Sequence, residues 1–236
     1  MRVLTIVHQR DAGAGVFGEK LRAAGAETDT WLIAEADEPP ADPASYGAVM
    51  TFGGAMHPDQ EERHGWLGDE KKLLAGLIEA GTPLLGACLG AQVLCEAAGG
   101  EVRRMDRPEI GWLEVEVTRE GEEDPLLGAL APAFRAFQWH SYECVPPPGA
   151  TVLARSEACV QAFRVGERAW GIQFHAEVSS ADARSWIADW RSDEDAVRIG
   201  LDAEALRTET EAAMLEWNDL GRALCGRFLD AVATRA

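Results

Sequence analysis

At 236 residues and 47% hydrophobic content, the chain is long enough for one large α/β domain, with or without a helical appendix. Forty acidic against 22 basic residues give a formal charge of −18, which repels phosphate backbones and anionic lipids and excludes nucleic acid as an expected partner. Every apolar run falls short of the roughly 18 residues that a membrane span requires.

The first segment, Arg2-Val3-Leu4-Thr5-Ile6-Val7, reads as a strand rather than a signal peptide. Spacing then predicts a helix near Val16 to Ala24 and strands over Thr30–Ile33 and Ala48–Phe52. Nearly continuous apolar strands separated by helices imply a parallel sheet covered on both faces. Glu35–Pro43, acidic and carrying Pro39, Pro40 and Pro43, reads as a solvated loop. After Phe52-Gly53-Gly54 comes a long polar connection over residues 55–66, placed where loops at strand carboxyl ends rim a ligand pocket. A helix from about Leu67 to Ala80 turns Leu73, Leu74, Leu77 and Ile78 inward and stops at Gly81.

Thr82-Pro83-Leu84-Leu85 is a short buried strand that runs through Gly86-Ala87-Cys88-Leu89-Gly90 into the helical segment Gln92–Ala98. Strand, Gly-x-Cys-x-Gly and helix make up a nucleophile elbow, in which the glycines relieve crowding around one exposed side chain. A thiol at a helix N-terminus has its thiolate favoured by unpaired backbone N–H groups. By itself this turn suits a packed thiol as well as a catalytic one. A thiol nucleophile needs a base, and Gly171-Ile172-Gln173-Phe174-His175-Ala176-Glu177 supplies a candidate. In an extended segment residues i and i+2 share a side, so Glu177 can hold the His175 imidazole in the tautomer that accepts the thiol proton.

Between these stretches the pattern changes to period two over Trp112–Val117, Phe134–Trp139, Thr151–Ala154, Val160–Phe163 and Ala169–Phe174. Such alternation predicts antiparallel pairing with one wet face, and Pro146–Gly149 is a turn. After Glu177 the residues read as helical over Ala181–Trp190 and Ala203–Val232. Leu206, Met214, Trp217, Leu220, Leu224, Phe228 and Val232 form a stripe, suited to packing on the same domain or to a homodimer interface. The five cysteines, Cys88, Cys95, Cys144, Cys159 and Cys225, are odd in number and lack C-x-x-C spacing, which fits a reducing cytoplasm. His8, His57, His64 and His140 form no ligand motif with them, so no metal, cofactor or disulfide framework is expected.

With the G-x-C-x-G elbow, the later F-H-x-E and the Phe52-Gly53-Gly54 loop, the chain resembles the class I glutamine amidotransferases over about residues 2–178. The likeness is to stand-alone members similar to the amidotransferase of GMP synthase. It implies Cys88, His175 and Glu177 as a catalytic triad, with backbone N–H groups of Gly54 and Leu89 as the oxyanion hole. It further implies that Gly53, Gln92, His140, Ser141 and Tyr142 help hold glutamine; Ser141-Tyr142 stands where other members have Gly-Asp. The expected fold is a three-layer flavodoxin-like α/β domain with a mixed, largely parallel sheet. Residues 1–178 would be the core and residues 179–236 a helical extension. No Walker loop follows Glu177, so no fused synthetase is expected and ammonia would pass to a separate synthetase subunit. Two alternatives remain: a stand-alone hydrolase of γ-glutamyl peptides or amides, and a non-catalytic regulatory subunit.

Overall fold

The computed structural model describes residues 1–35 and 38–233. The first half of the chain alternates β1 (Arg2–Val7), α1 (Gly15–Ala23), β2 (Glu27–Leu32), β3 (Ala48–Thr51), α2 (Trp66–Glu79), β4 (Leu84–Ala87) and α3 (Leu89–Ala97). There follow β5 (Glu101–Val117), the short α4 (Arg119–Glu122), β6 (Ala133–Val145), β7 (Thr151–Arg155), β8 (Val160–Val165) and β9 (Ala169–Ile172). The chain ends with α5 (Ser180–Ala188), α6 (Glu194–Arg198) and α7 (Ala203–Ala233). Among the described residues the strands form one nine-stranded sheet, ordered β2-β1-β3-β4-β9-β8-β6-β5-β7, with β7 also bonded to β8.

The apolar run of β1 follows from burial on both faces. Val3 and Val7 point into one core with Val16, Phe17 and Leu21 of α1 and Met214, Trp217 and Phe228 of α7. Leu4 and Ile6 point into the other, with Leu67, Leu74 and Leu77 of α2 and Val93 and Leu94 of α3. Helices therefore cover the parallel strands on both sides, as their composition requires. Leu73 and Ile78 are only partly buried, and fully buried Glu70 shares the inward face of α2.

The sheet is mixed, but the expectation that it is largely parallel is wrong. Four pairings are parallel, β1 with β2 and β3, β3 with β4, and β4 with β9. Five are antiparallel, among β5 to β9. The imbalance arises because β5 and β6, 17 and 13 residues long, extend well beyond their recognisable alternating parts. In Glu101–Arg107 the side chains are partly or fully exposed and mostly charged, so no apolar period marks that half of β5. His140, Ser141 and Tyr142 consequently lie inside β6, not between strands. The acidic loop predicted over Glu35–Pro43 includes residues 36 and 37, which lie outside the described residues.

The α7 stripe packs on its own chain. Leu206, Met214, Trp217, Leu224, Phe228 and Val232 are buried there, and Leu220 is partly buried against the same core. Close approach is made possible by Gly221, where an added Cβ would collide with the Ala176 carbonyl oxygen, between His175 and Glu177. Gly221→Ala must push helix and segment apart, and a destabilisation of about 1–3 kcal/mol is expected from such overpacking. Urea unfolding would measure it; an unchanged midpoint would show that the contact is not tight.

Candidate active site

Cys88 stands between β4 and α3 with φ 51 and ψ −112, a positive φ rare for a residue with a side chain. Such a conformation costs on the order of 1–3 kcal/mol and persists only where surrounding contacts over-determine it. Here the Cys88 N–H donates to Ile172 O at 2.9 Å, and the Cys88 carbonyl accepts from Gln92 N–H at 3.0 Å, the first turn of α3. A Cβ on Gly86 would lie 2.5 Å from Gly90 O, and one on Gly90 would collide with Thr51 O. Both flanking glycines are thus required by backbone packing.

β9 ends at Ile172, and the segment after it is irregular rather than extended. His175 and Glu177 nevertheless meet, with Nδ1 2.8 Å from Oε1. Their placement comes from tertiary hydrogen bonds. His175 N–H donates to Phe137 O of β6 at 3.0 Å, Trp217 Nε1–H of α7 donates to His175 O at 2.9 Å, and Val16 N–H of α1 donates to Glu177 O at 2.8 Å. Asn218 Nδ2 adds a bond to Val178 O at 2.8 Å. Trp186 of α5 lies edge-on to the imidazole at 4.9 Å.

Cys88 and His175 converge on Gly53. A Cβ there would lie 3.1 Å from His175 Cε1 and 3.7 Å from Cys88 Cβ, so the loop backbone occupies the space beside both side chains. Burial works against a charged imidazole, yet the charges of neighbouring Cys88 and Glu177 and the hydrogen bond to Glu177 outweigh it and hold the His175 pKa well above the ordinary value. His175 Nε2 and Glu177 Oε2 are buried without a well-aligned hydrogen bond. Cys88 Sγ lies 3.9 Å from Trp139 O. Gly54 and Leu89 are also adjacent: a Cβ on Gly54 would lie 3.1 Å from Leu89 Cδ2. The Leu89 N–H, in the first turn of α3, has no acceptor within the helix.

Behind the Gly53 loop is a group that periodicity could not reveal. His8 Nε2 lies 2.8 Å from Glu70 Oε2, Thr51 Oγ1 donates to Glu70 Oε1 at 2.6 Å, and His8 Nδ1 lies 3.2 Å from Gly53 O. Burial lowers the His8 pKa, but the Glu70 charge and the hydrogen bonds raise it further, leaving it above 6.5. Stability from this raised value is fully present below the unfolded pKa near 6.5 and is lost as pH rises through the folded one. The stability advantage of the unmodified chain over Glu70→Gln should therefore shrink from mildly acidic to alkaline pH in urea titrations; a constant difference would contradict the charged pair.

The remaining predicted contacts divide. Gln92 is buried, with Nε2 donating to Tyr142 O at 3.3 Å and Gln173 Oε1 at 3.2 Å, which ties α3 to β6. Tyr142 reaches the 55–66 loop: its hydroxyl donates to Asp59 Oδ2 at 2.9 Å, and its ring lies 4.8 Å from that of His57. Asp195, which pairs with Arg104 and Arg198, has its carboxyl held below the usual range, burial opposing and Ser141 and the two arginines lowering it. The His140 ring is engaged with Tyr142 O and Glu109 rather than with Cys88 or His175.

The glutamine amidotransferase class-I family profile matches residues 16–190. The chain belongs to the class I glutamine amidotransferases. It is thereby an enzyme of the glutamine-hydrolysing amidotransferase type. It is 36% identical over 152 residues to a glutamine-hydrolysing GMP synthase subunit of Ignicoccus hospitalis, covering 63% of this chain and 76% of that one. A glutamine amidotransferase-like protein of Salmonella typhimurium, YfeJ, is 29% identical over 75% of this chain and 76% of its own length. A crystal structure of a Thermotoga maritima glutamine amidotransferase superposes with a TM-score of 0.86 and 28% identity, over 97% of both chains.

For this amidotransferase, selective alkylation is expected at Cys88. Cys144 is pushed up by the neighbouring Cys95 thiol and then by burial, Cys159 by burial and then Glu109, and burial pushes Cys225 up to about 12. Cys95 is 0% exposed. Mass spectrometry after brief iodoacetamide treatment near neutral pH should find label on Cys88 first. Equal labelling of Cys95 or Cys225 in the folded protein would oppose an activated Cys88.

Proposed function

We propose that this amidotransferase hydrolyses the side-chain amide of glutamine through Cys88, His175 and Glu177, by way of a glutamyl thioester. The observation that carries the reading is the convergence of Cys88 and His175 on Gly53, with Glu177 Oε1 2.8 Å from the far nitrogen of the same imidazole. Cys88 Sγ attacks the amide carbon, and the carbonyl oxygen takes negative charge against the N–H groups of Gly54 and Leu89. His175, protonated by the thiol, delivers the proton to the amide nitrogen as ammonia leaves. Water, deprotonated by His175, then attacks the thioester; glutamate departs and Cys88 recovers its proton. Glu177 keeps Nδ1 protonated, so Nε2 faces the reacting groups.

Residues 1–236 act as one unit, a core of about residues 1–178 and a helical extension. The order β2-β1-β3-β4-β9 of the parallel half matches that of flavodoxin-like sheets. The glutamine-hydrolysing GMP synthase relatives support a further step, in which ammonia passes to a separate synthetase subunit. The contact of Tyr142 with Asp59 supports a role for the 55–66 loop at the rim where glutamine would enter.

Glutamate release from glutamine by the purified chain tests the reading. Cys88→Ala and His175→Ala should each lower turnover by at least about a thousand-fold, and Glu177→Ala by less, because it acts only through the imidazole. Undiminished turnover in Cys88→Ala would remove the mechanism. Ready hydrolysis of γ-glutamyl peptides with glutamine untouched would replace the substrate.

A further inference from the structure

On the antiparallel half of the sheet, Glu109 of β5, His140 of β6 and Cys159 at the entry to β8 bring one ligand-type atom each to within 4.8 Å of one another, all buried. The His140 Nδ1 lies 2.9 Å from Tyr142 O, and because a carbonyl can only accept, Nδ1 carries the proton. A neutral ring then presents a bare lone pair at Nε2. That nitrogen is buried without a hydrogen bond, although it stands 3.0 Å from Glu109 Oε2. A lone pair facing a carboxylate oxygen in a dry interior is repulsive, and a positive charge between them, either a second ring proton on Nε2 or a metal ion, reconciles them.

Cys159 adds a third donor atom, with Sγ 3.4 Å from the same Glu109 oxygen. Thiol, carboxylate and an imidazole oriented through a carbonyl on its other nitrogen are the donor types that hold Zn²⁺. With bonds of about 2.0–2.3 Å, tetrahedral ligands stand roughly 3.3–3.7 Å apart. The observed separations of 3.0 and 3.4 Å, with the third no more than 4.8 Å, bracket that value. Gln161 points its amide at the same place, Nε2 being 2.6 Å from Glu109 Oε2 and 3.3 Å from Cys159 Sγ. A half-turn of that amide, with Gln138 turning in step, would present Oε1 as a fourth ligand. A cavity of about 330 Å³, lined by Cys144, Pro146, Arg155 and Val160, reaches Cys159.

We infer that Glu109, His140 and Cys159 form a site for a Zn²⁺-class divalent transition metal, separate from the Cys88 centre. Cys159 binds as the thiolate and releases its proton to solvent. The ion ties β5 and the entry to β8 to β6, the strand that also carries Trp139, Ser141 and Tyr142, so its role is structural support of that strand rather than chemistry at the amide.

Titration of the full chain, stripped with chelator, with Co²⁺ as the probe tests this. Expected are a thiolate-to-cobalt charge-transfer band and tetrahedral d–d bands saturating at one equivalent, both displaced by Zn²⁺. Cys159→Ser should abolish the charge-transfer band, and near-isosteric Glu109→Gln should weaken Co²⁺ binding by about tenfold or more. Cys88→Ser should retain both. Circular dichroism of metal-free Cys159→Ser and Glu109→Gln checks that they fold. Absence of a band in the unmodified chain would overturn the site, as would a band kept by Cys159→Ser or lost only in Cys88→Ser.

Discussion

The direct pairing of β4 with β9 is the constraint on which the rest of the site depends. Leu84 to Ala87 run beside Ala169 to Ile172 in parallel register, with Ala87 opposite Ile172. The next residues on the two strands therefore leave the sheet side by side, although they lie far apart in sequence. The Cys88 N–H bonded to Ile172 O continues the ladder one step past β4 and fixes the strained turn at its start. Bulk would disrupt this arrangement: a side chain on Gly86 would meet Gly90, and one on Gly171 would strike the Phe163 ring.

Gly53 lies between two buried histidine–carboxylate pairs. On one side the His175 imidazole, paired with Glu177, lies beside it; on the other, His8, paired with Glu70, lies 3.2 Å from its carbonyl oxygen. Burying such pairs carries a desolvation penalty that only good geometry and further hydrogen bonds offset. Thr51 supplies one such bond to Glu70, and stacking of the His8 ring on Trp66 at 5.1 Å closes the pocket from the helix side. The loop is thereby held at the end of β3. In the proposed mechanism, donors held in this way would need little reorganisation as charge develops.

The C-terminal helix completes the support of the His175–Val178 segment. Trp217 and Asn218 of α7 bond its backbone, and Gly221 lets the helix approach it. An irregular segment has no ladder to satisfy its carbonyls, so these side-chain donors take the ladder's place. Trp186 of α5 lies edge-on to the His175 ring, and Asp193, the N-cap of α6, accepts from Trp139 Nε1 of the neighbouring β6 at 2.8 Å. The family profile ends at residue 190, whereas the match to the Thermotoga maritima structure spans 97% of the chain.

The local elements and the elbow residues could be read from the chain alone, because they obey short-range rules. A strand buried on both faces must be apolar throughout, and a turn with Cys88 at positive φ between packed backbones admits only glycine at 86 and 90. The G-x-C-x-G stretch was legible for the same reason, whereas F-H-x-E was legible only as a pattern of residues, because tertiary hydrogen bonds and not an extended backbone bring His175 and Glu177 together; the elements of the parallel half follow their predicted bounds to within a few residues. Other features depend on partners far away in the chain and emerge only on folding. The charged first half of β5 has no apolar period, since its order comes from pairing with β6, and this is why the antiparallel share of the sheet was underestimated. Glu70 reads as an ordinary helix residue until His8 and Thr51 are folded against it. His140 reads as a neighbour of the substrate segment, but alternation along β6 sends its ring to Glu109 and Cys159, which come from two other strands and share no spacing with it. The α7 stripe could serve its own core or a second copy equally well; only the positions of Trp112, Phe134 and Phe174 around Trp217 fix it to its own chain. Periodicity records which side of an element is buried, and the partner that buries it is settled by the long-range closure of the sheet.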